Sequence, residues 1–119
     1  VSEALLQASV IKNFKRHNFM SVKIVGVSHR GVPDLLVMGP HGTICFIEVK
    51  NPNGKGALSR LQKLFKREVE KRGIHYYLIS NYEEMKHAIE RELDRSAGQL
   101  RDLPVRARIR SVTGVDGDG

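Results

Sequence analysis

Apolar residues recur every four positions near the start of the chain, at Leu6, Val10 and Phe14, with Leu5 and Ile11 beside them. This spacing predicts an amphipathic helix over about 2–17, with Ser2 placed to cap it. Residues 22–27 are rich in β-branched side chains and predict a strand that ends in the polar turn Ser28, His29, Arg30, Gly31. Two apolar runs follow, 34–38 and 44–50, joined by Gly39, Pro40, His41, Gly42 and Thr43, a composition suited to a hairpin connection. After a Gly/Asn/Lys-rich loop over 51–57, the residues Leu58, Leu61, Leu64, Phe65 and Val69 mark a second helix, which Gly73 closes in the left-handed region. An apolar strand over 74–79 comes next. Ser80 and Glu83 have capping-box spacing for a third helix, with Met85, Ile89 and Leu93 on one face.

The element order is therefore α-β-β-β-α-β-α. Both hairpin strands are apolar on both faces, as strands packed between helices are. A strand–helix–strand crossover is right-handed and makes its two strands parallel, so the sheet is mixed. The expected class is α/β: a mixed central sheet flanked by helices, with a C-terminal helix and a tail. Beyond about Ser96 the periodicity fades, and the Arg- and Gly-rich end predicts a flexible or assembly-dependent tail. One domain over 1–95 and a tail over 96–119 is the expected organisation.

Composition adds to this picture in two ways. Of the 119 residues, 40% are hydrophobic and 28% charged, a balance that allows a buried core. Lys and Arg number 20 against 13 acidic residues, a net charge of +7 and a pI near 9.9, which suits a polyanionic partner such as nucleic acid. Four Phe, three Tyr and no Trp give no sign of a stacking platform for single strands. No stretch approaches a membrane span and no leader pattern is seen, so no membrane partner is expected. The lone Cys45 excludes an internal disulfide and suits a reducing cytoplasm.

Candidate chemistry comes from where the acids fall. If the hairpin closes symmetrically about His41, Met38 faces Ile44, Leu36 faces Phe46, and Asp34 faces Glu48. Facing residues have Cβ atoms about 5 Å apart, so both carboxylates could touch one cation. Lys50 lies two residues beyond Glu48 and projects from the same face. A surface Glu48–Lys50 pair is the bland alternative, but both acids flank strands apolar on both faces, where an unpaired charge is costly. Two facing carboxylates repel unless a cation or proton lies between them, and hard oxygen ligands suit Mg²⁺ or Mn²⁺. Glu3 should lie on the buried face of the first helix, as a third acid or simply as an acid favouring the helix dipole.

Gly31-Val32-Pro33-Asp34 followed by Phe46-Ile47-Glu48-Val49-Lys50 resembles the PD-(D/E)XK nuclease signature. The Gly/Lys loop, Leu58-Ser59, Gln62 in the next helix and Gly73 at its end are similar to the VRR-NUC branch of that superfamily, over roughly 3–90. The resemblance implies a restriction-endonuclease-like αβββαβ core and a metal-dependent endonuclease. It implies that Asp34 and Glu48 bind Mg²⁺ or Mn²⁺ with the Val49 carbonyl, and that Lys50 activates water and stabilises the phosphate. Glu3 would bind metal directly or through water, and Gln62 would orient Lys50 or the phosphate. No small-molecule cofactor is implied. Stand-alone members look like four-way (Holliday) junction resolvases, so branched or duplex DNA and a homodimer are the expected partners. His29, Arg30, Lys55, Ser59, Arg60 and Lys63 are the expected DNA contacts around the acids. The alternative is a catalytically inactive nuclease-fold module that binds DNA or protein.

Overall fold

The computed structural model describes residues 2–51 and 56–102. Helix α1 (Glu3–Lys15) starts where Ser2 accepts a hydrogen bond from the Leu5 N–H, as the sequence predicts. Its stripe of Leu6, Val10 and Phe14 is buried, and Phe19, just past the helix, adds its ring edge-on to Phe14 at 5.4 Å.

Strand β1 (Met20–Lys23) lies earlier than the β-branched run suggests. Pairing decides its limits. β2 (Leu35–Met38) is too short to match a longer partner, and the last link between the two segments is the Ile24 N–H to the Asp34 carbonyl at 2.8 Å. Beyond it Gly26 turns the chain at φ +65°, leaving Val25 and Val27 exposed.

A short 3-10 turn at Pro40–Gly42 joins β2 to β3 (Ile44–Val49), with His41 itself in the left-handed region. The ladder pairs Leu36 with Phe46 and Met38 with Ile44, the symmetric closure about His41. Helix α2 (Arg60–Lys71), strand β4 (His75–Ile79) and helix α3 (Tyr82–Asp102) complete the chain. The sheet order is β1-β2-β3-β4, with antiparallel pairs except for parallel β3–β4. Mixed sheet, element order and flanking helices are all as expected.

Strand alternation sends Leu35, Val37, Cys45, Ile47, Val49 and Ile79 to one face, where they form the main core with α1 and with Met85, Ala88 and Ile89 of α3. The opposite face carries Phe46 and Tyr76, covered by Phe65 of α2, whose ring meets Phe46 edge-on at 5.2 Å. Leu61 and Leu64 of α2 stay exposed, although their spacing placed them on the apolar stripe.

Helix α3 departs from expectation at both ends. Its cap is Asn81, which accepts from the Glu84 N–H at 2.9 Å, while Glu84 accepts from Ser80; the motif sits one residue later than the Ser80/Glu83 pair. The helix also runs on to Asp102, past the expected end near Ser96. Ser96 is buried and donates to the Pro40 carbonyl, and Gln99 accepts from the buried Thr43 hydroxyl at 2.8 Å. These polar anchors hold the last turns of the helix on the hairpin connection; 103–119 lies outside the described residues. Among the described residues no helix is long and apolar enough to cross a membrane.

Candidate active site

Asp34 precedes β2 and Glu48 lies near the end of β3, one step beyond the Leu35–Ile47 pair of the ladder, so the hairpin brings them together. The Val49 N–H donates to Asp34 Oδ2 at 2.8 Å, and the Asp34 N–H donates to Glu48 Oε1 at 3.2 Å. Lys50 Nζ stands 3.3 Å from Glu48 Oε2. The expected trio of Asp34, Glu48 and Lys50 is thus assembled on the α2 face of the sheet. The Lys50 N–H is fixed by the Ile79 carbonyl at 3.0 Å. Gly56 passes so close that an added Cβ would lie 2.9 Å from the Lys50 Cβ, so only glycine lets the returning loop seat the lysine stem.

Helix α2 reaches the trio through its first turn. Ser59 accepts from the Gln62 N–H and Gln62 Oε1 accepts from the Ser59 N–H, a complete capping box. The Gln62 side chain also favours the charged form of Glu48, opposing the effect of burial. Ser59 caps the helix, and Gln62 is the capping-box partner as well as a neighbour of Glu48. The cap residues and the site residue are one motif, which the spacing Ser59-x-x-Gln62 already contained.

Glu48 is buried, and its pKa is raised from the ordinary 4.5, first by burial, then by the negative charge of Asp34, against the opposing pull of Lys50 and Gln62. One lysine does not neutralise the pair. Tyr76, on β4 and 4% exposed, lies in the field of both acids; its phenol is pushed up by burial, then by Glu48 and Asp34. Its buried hydroxyl finds no hydrogen-bond partner among the described residues. Under-neutralised carboxylates beside an unpartnered hydroxyl fit a hydrated divalent cation, which needs only one or two carboxylates and keeps several waters.

Glu3 does not join them. It is exposed in the first turn of α1 rather than on the buried face, because the chain enters the helix there with its first turn open to solvent. Among the described residues no group of three His, Cys, Asp or Glu is poised around a common point. Val49 is buried with its N–H committed to Asp34. His29 and Arg30 are exposed, His29 with its ring 5.8 Å from that of Phe65, and Arg60 and Lys63 are exposed on α2. Lys55 lies outside the described residues.

A second polar cluster escaped the sequence pattern. Glu92 of α3 is fully buried, with Oε2 2.8 Å from His75 Nδ1 and accepting from Tyr77 at 2.6 Å, and Oε1 accepting from Arg95 at 3.0 Å. Its position seven residues after Met85, on the buried stripe, was the signal for it in the sequence. It lies on the α3 face, at the opposite end of β3 and β4 from Glu48. Cys45, beside it, is an inert thiol: burial pushes its pKa up, Glu92 adds to this, and Arg95 opposes.

No family model and no curated protein matches the sequence. Among solved structures, a VRR_NUC domain superposes with a TM-score of 0.66 at 26% identity, over 76% of this chain and 97% of that one. The chain has the VRR-NUC fold. The likeness supports a nuclease-fold domain.

Proposed function

We propose that this VRR-NUC domain is a Mg²⁺- or Mn²⁺-dependent DNA endonuclease that hydrolyses phosphodiester bonds in branched DNA, four-way junctions foremost, as a homodimer. The observation that carries the reading is the Asp34–Glu48 pair, hydrogen-bonded into one unit and left short of positive charge with Lys50 on its rim.

Asp34, Glu48 and the Val49 carbonyl would hold the ion, which lowers the pKa of water and screens the phosphate oxygens. Gln62, in the first turn of α2, would help orient Glu48 or the phosphate. Lys50 supplies a fixed positive charge for the attacking oxygen and the phosphate, where charge builds in the transition state. Attack in line with the P–O3′ bond breaks it and leaves a 5′-phosphate.

The basic residues sort by their partners. Lys66 pairs with Glu70, and Lys71 and Arg72 pair with Glu68. Among the described residues Arg60, Lys63 and Arg67 pair with no carboxylate, and the first two lie in the turn that bears Gln62. Unneutralised charge near the acids suits phosphates flanking the scissile one. A symmetric junction needs two cuts related by a two-fold axis, which a dimer supplies.

The test is cleavage of end-labelled four-way junction, flap and linear duplex by purified protein with Mg²⁺, Mn²⁺ or chelator. Metal-dependent scission with preference for the junction is expected. Binding without scission of any substrate overturns the enzyme reading in favour of an adhesive nuclease-fold module. Elution as a monomer while junctions are still cut in both arms overturns the dimer.

A further inference from the structure

We propose that Tyr76 is a positioning residue of the acid centre, its hydroxyl accepting a hydrogen bond from a water of the divalent ion held by Asp34 and Glu48. This rests on the metal-dependent reading above. Tyr76 pairs with Phe46 in the parallel ladder, and Glu48 is two residues along β3 from Phe46, so Tyr76 and Glu48 share the α2 face. The ring is sandwiched under Phe65, whose centroid is 6.4 Å away at 58°, which restricts its swing.

The surroundings of the ring, Phe46 and Phe65, would be served as well by phenylalanine. What packing does not need is the hydroxyl, and that atom is buried and without a partner among the described residues. Leaving a buried hydroxyl unpaired is unfavourable, so a group that the protein itself does not provide is the natural partner. The acids already take main-chain and side-chain donors: Asp34 Oδ2 from Val49, Glu48 Oε1 from Asp34, and Glu48 Oε2 from Lys50. A cation bound by two carboxylates retains waters, and these are strong donors seeking acceptors. The phenol oxygen has lone pairs that can accept from such a water. Partners of this kind orient what the direct ligands hold.

The experiment compares wild type with Tyr76→Phe, an isosteric change, by following free Mn²⁺ with EPR in the absence of DNA and melting both proteins in chelator. The variant should bind Mn²⁺ roughly tenfold more weakly, the lower end of the range for removing a group that orients a metal's ligands. Its melting temperature in chelator should equal or exceed that of wild type, because an unpaired hydroxyl has been removed. Unchanged Mn²⁺ affinity overturns the proposal, as does weaker binding accompanied by a lower melting temperature in chelator, which would mark a packing role. If wild type itself takes up no Mn²⁺, the metal-dependent reading fails at the first step, an outcome distinct from failure at Tyr76.

Discussion

Asp34 and Glu48 are bonded into one unit although both are acids: the Asp34 N–H donates to Glu48 Oε1 at 3.2 Å, and the N–H of Val49, next to Glu48, donates to Asp34 Oδ2 at 2.8 Å. The main chain of each strand holds the carboxylate of the other, so repulsion cannot move them apart without breaking the end of the hairpin. The repulsion is retained, and in the metal-dependent reading proposed above a cation would relieve it.

A pH dependence follows. Glu48 is raised above its ordinary 4.5 in the folded chain, so between 4.5 and the raised value the native state binds more protons than the unfolded state. Stability contributed by protonated Glu48 is present in full below 4.5 and is lost as pH rises to the folded value. Urea unfolding in chelator should therefore show stability falling across that window, and Glu48→Gln should flatten the fall. Mg²⁺ should restore stability above the window in wild type only. A slope unchanged by Glu48→Gln would show that Glu48 is not the group responsible.

The hairpin register was legible because Pro40, His41 and Gly42 specify one compact closure, and that closure alone aligns Asp34 with Glu48. Helix α1 was legible for the same local reason: Ser2 and the Leu6, Val10, Phe14 stripe lie within one element. Contacts between elements were not. The approach of Gln62 to Glu48 depends on how α2 returns over the sheet, and no spacing contains that. Glu92 and Ser96 occupy the buried stripe of α3 as polar residues, so hydropathy ended the helix too early. Tyr76 reads as one more strand aromatic until the absence of a partner for its hydroxyl is seen.

Gly31 links the acid loop to α2. It has φ +80°, and an added Cβ would stand 2.3 Å from the Leu61 carbonyl oxygen, a backbone atom that cannot turn aside. Gly31→Ala should push the segment leading to Asp34 away from the turn bearing Gln62. The expected result is a loss of about 1–3 kcal/mol in stability, with cleavage reduced more than about 10-fold under conditions where the protein is still folded. Urea unfolding and single-turnover cleavage check the two parts. Full activity would show that the loop and helix are not registered across this close approach.

Basic side chains on α2 should not contribute equally to DNA binding. Arg60→Ala with Lys63→Ala removes two charges that have no carboxylate partner among the described residues. For each phosphate that is no longer neutralised, the slope of log K against log salt should become shallower by about 1. Lys66→Ala with Lys71→Ala removes charges already paired with Glu70 and Glu68, so its slope should stay near that of wild type. Fluorescence anisotropy of labelled junction DNA across a salt series distinguishes the pairs. Equal losses would mean that binding senses net charge rather than the position of α2.

Glu92 offers a test of the fold separate from the chemistry. Its carboxylate faces His75, Tyr77 and Arg95, and Arg95 also donates to the Ile44 and Gly73 carbonyls, which ties α3 to the starts of β3 and β4. Glu92→Ala leaves the guanidinium without its counter-charge and the Tyr77 hydroxyl without its acceptor, and should cost about 3 kcal/mol. Glu92→Gln keeps an acceptor for Tyr77 or Arg95 and should cost less. Because the cluster lies on the α3 face, away from Asp34 and Glu48, the cleavage rate per folded molecule should be unchanged in both variants. Urea unfolding gives the order of stabilities, and active-site titration with single-turnover kinetics gives the rate. An alanine variant as stable as wild type would mean that apolar packing of Met85, Ala88 and Ile89 holds α3 without the buried acid.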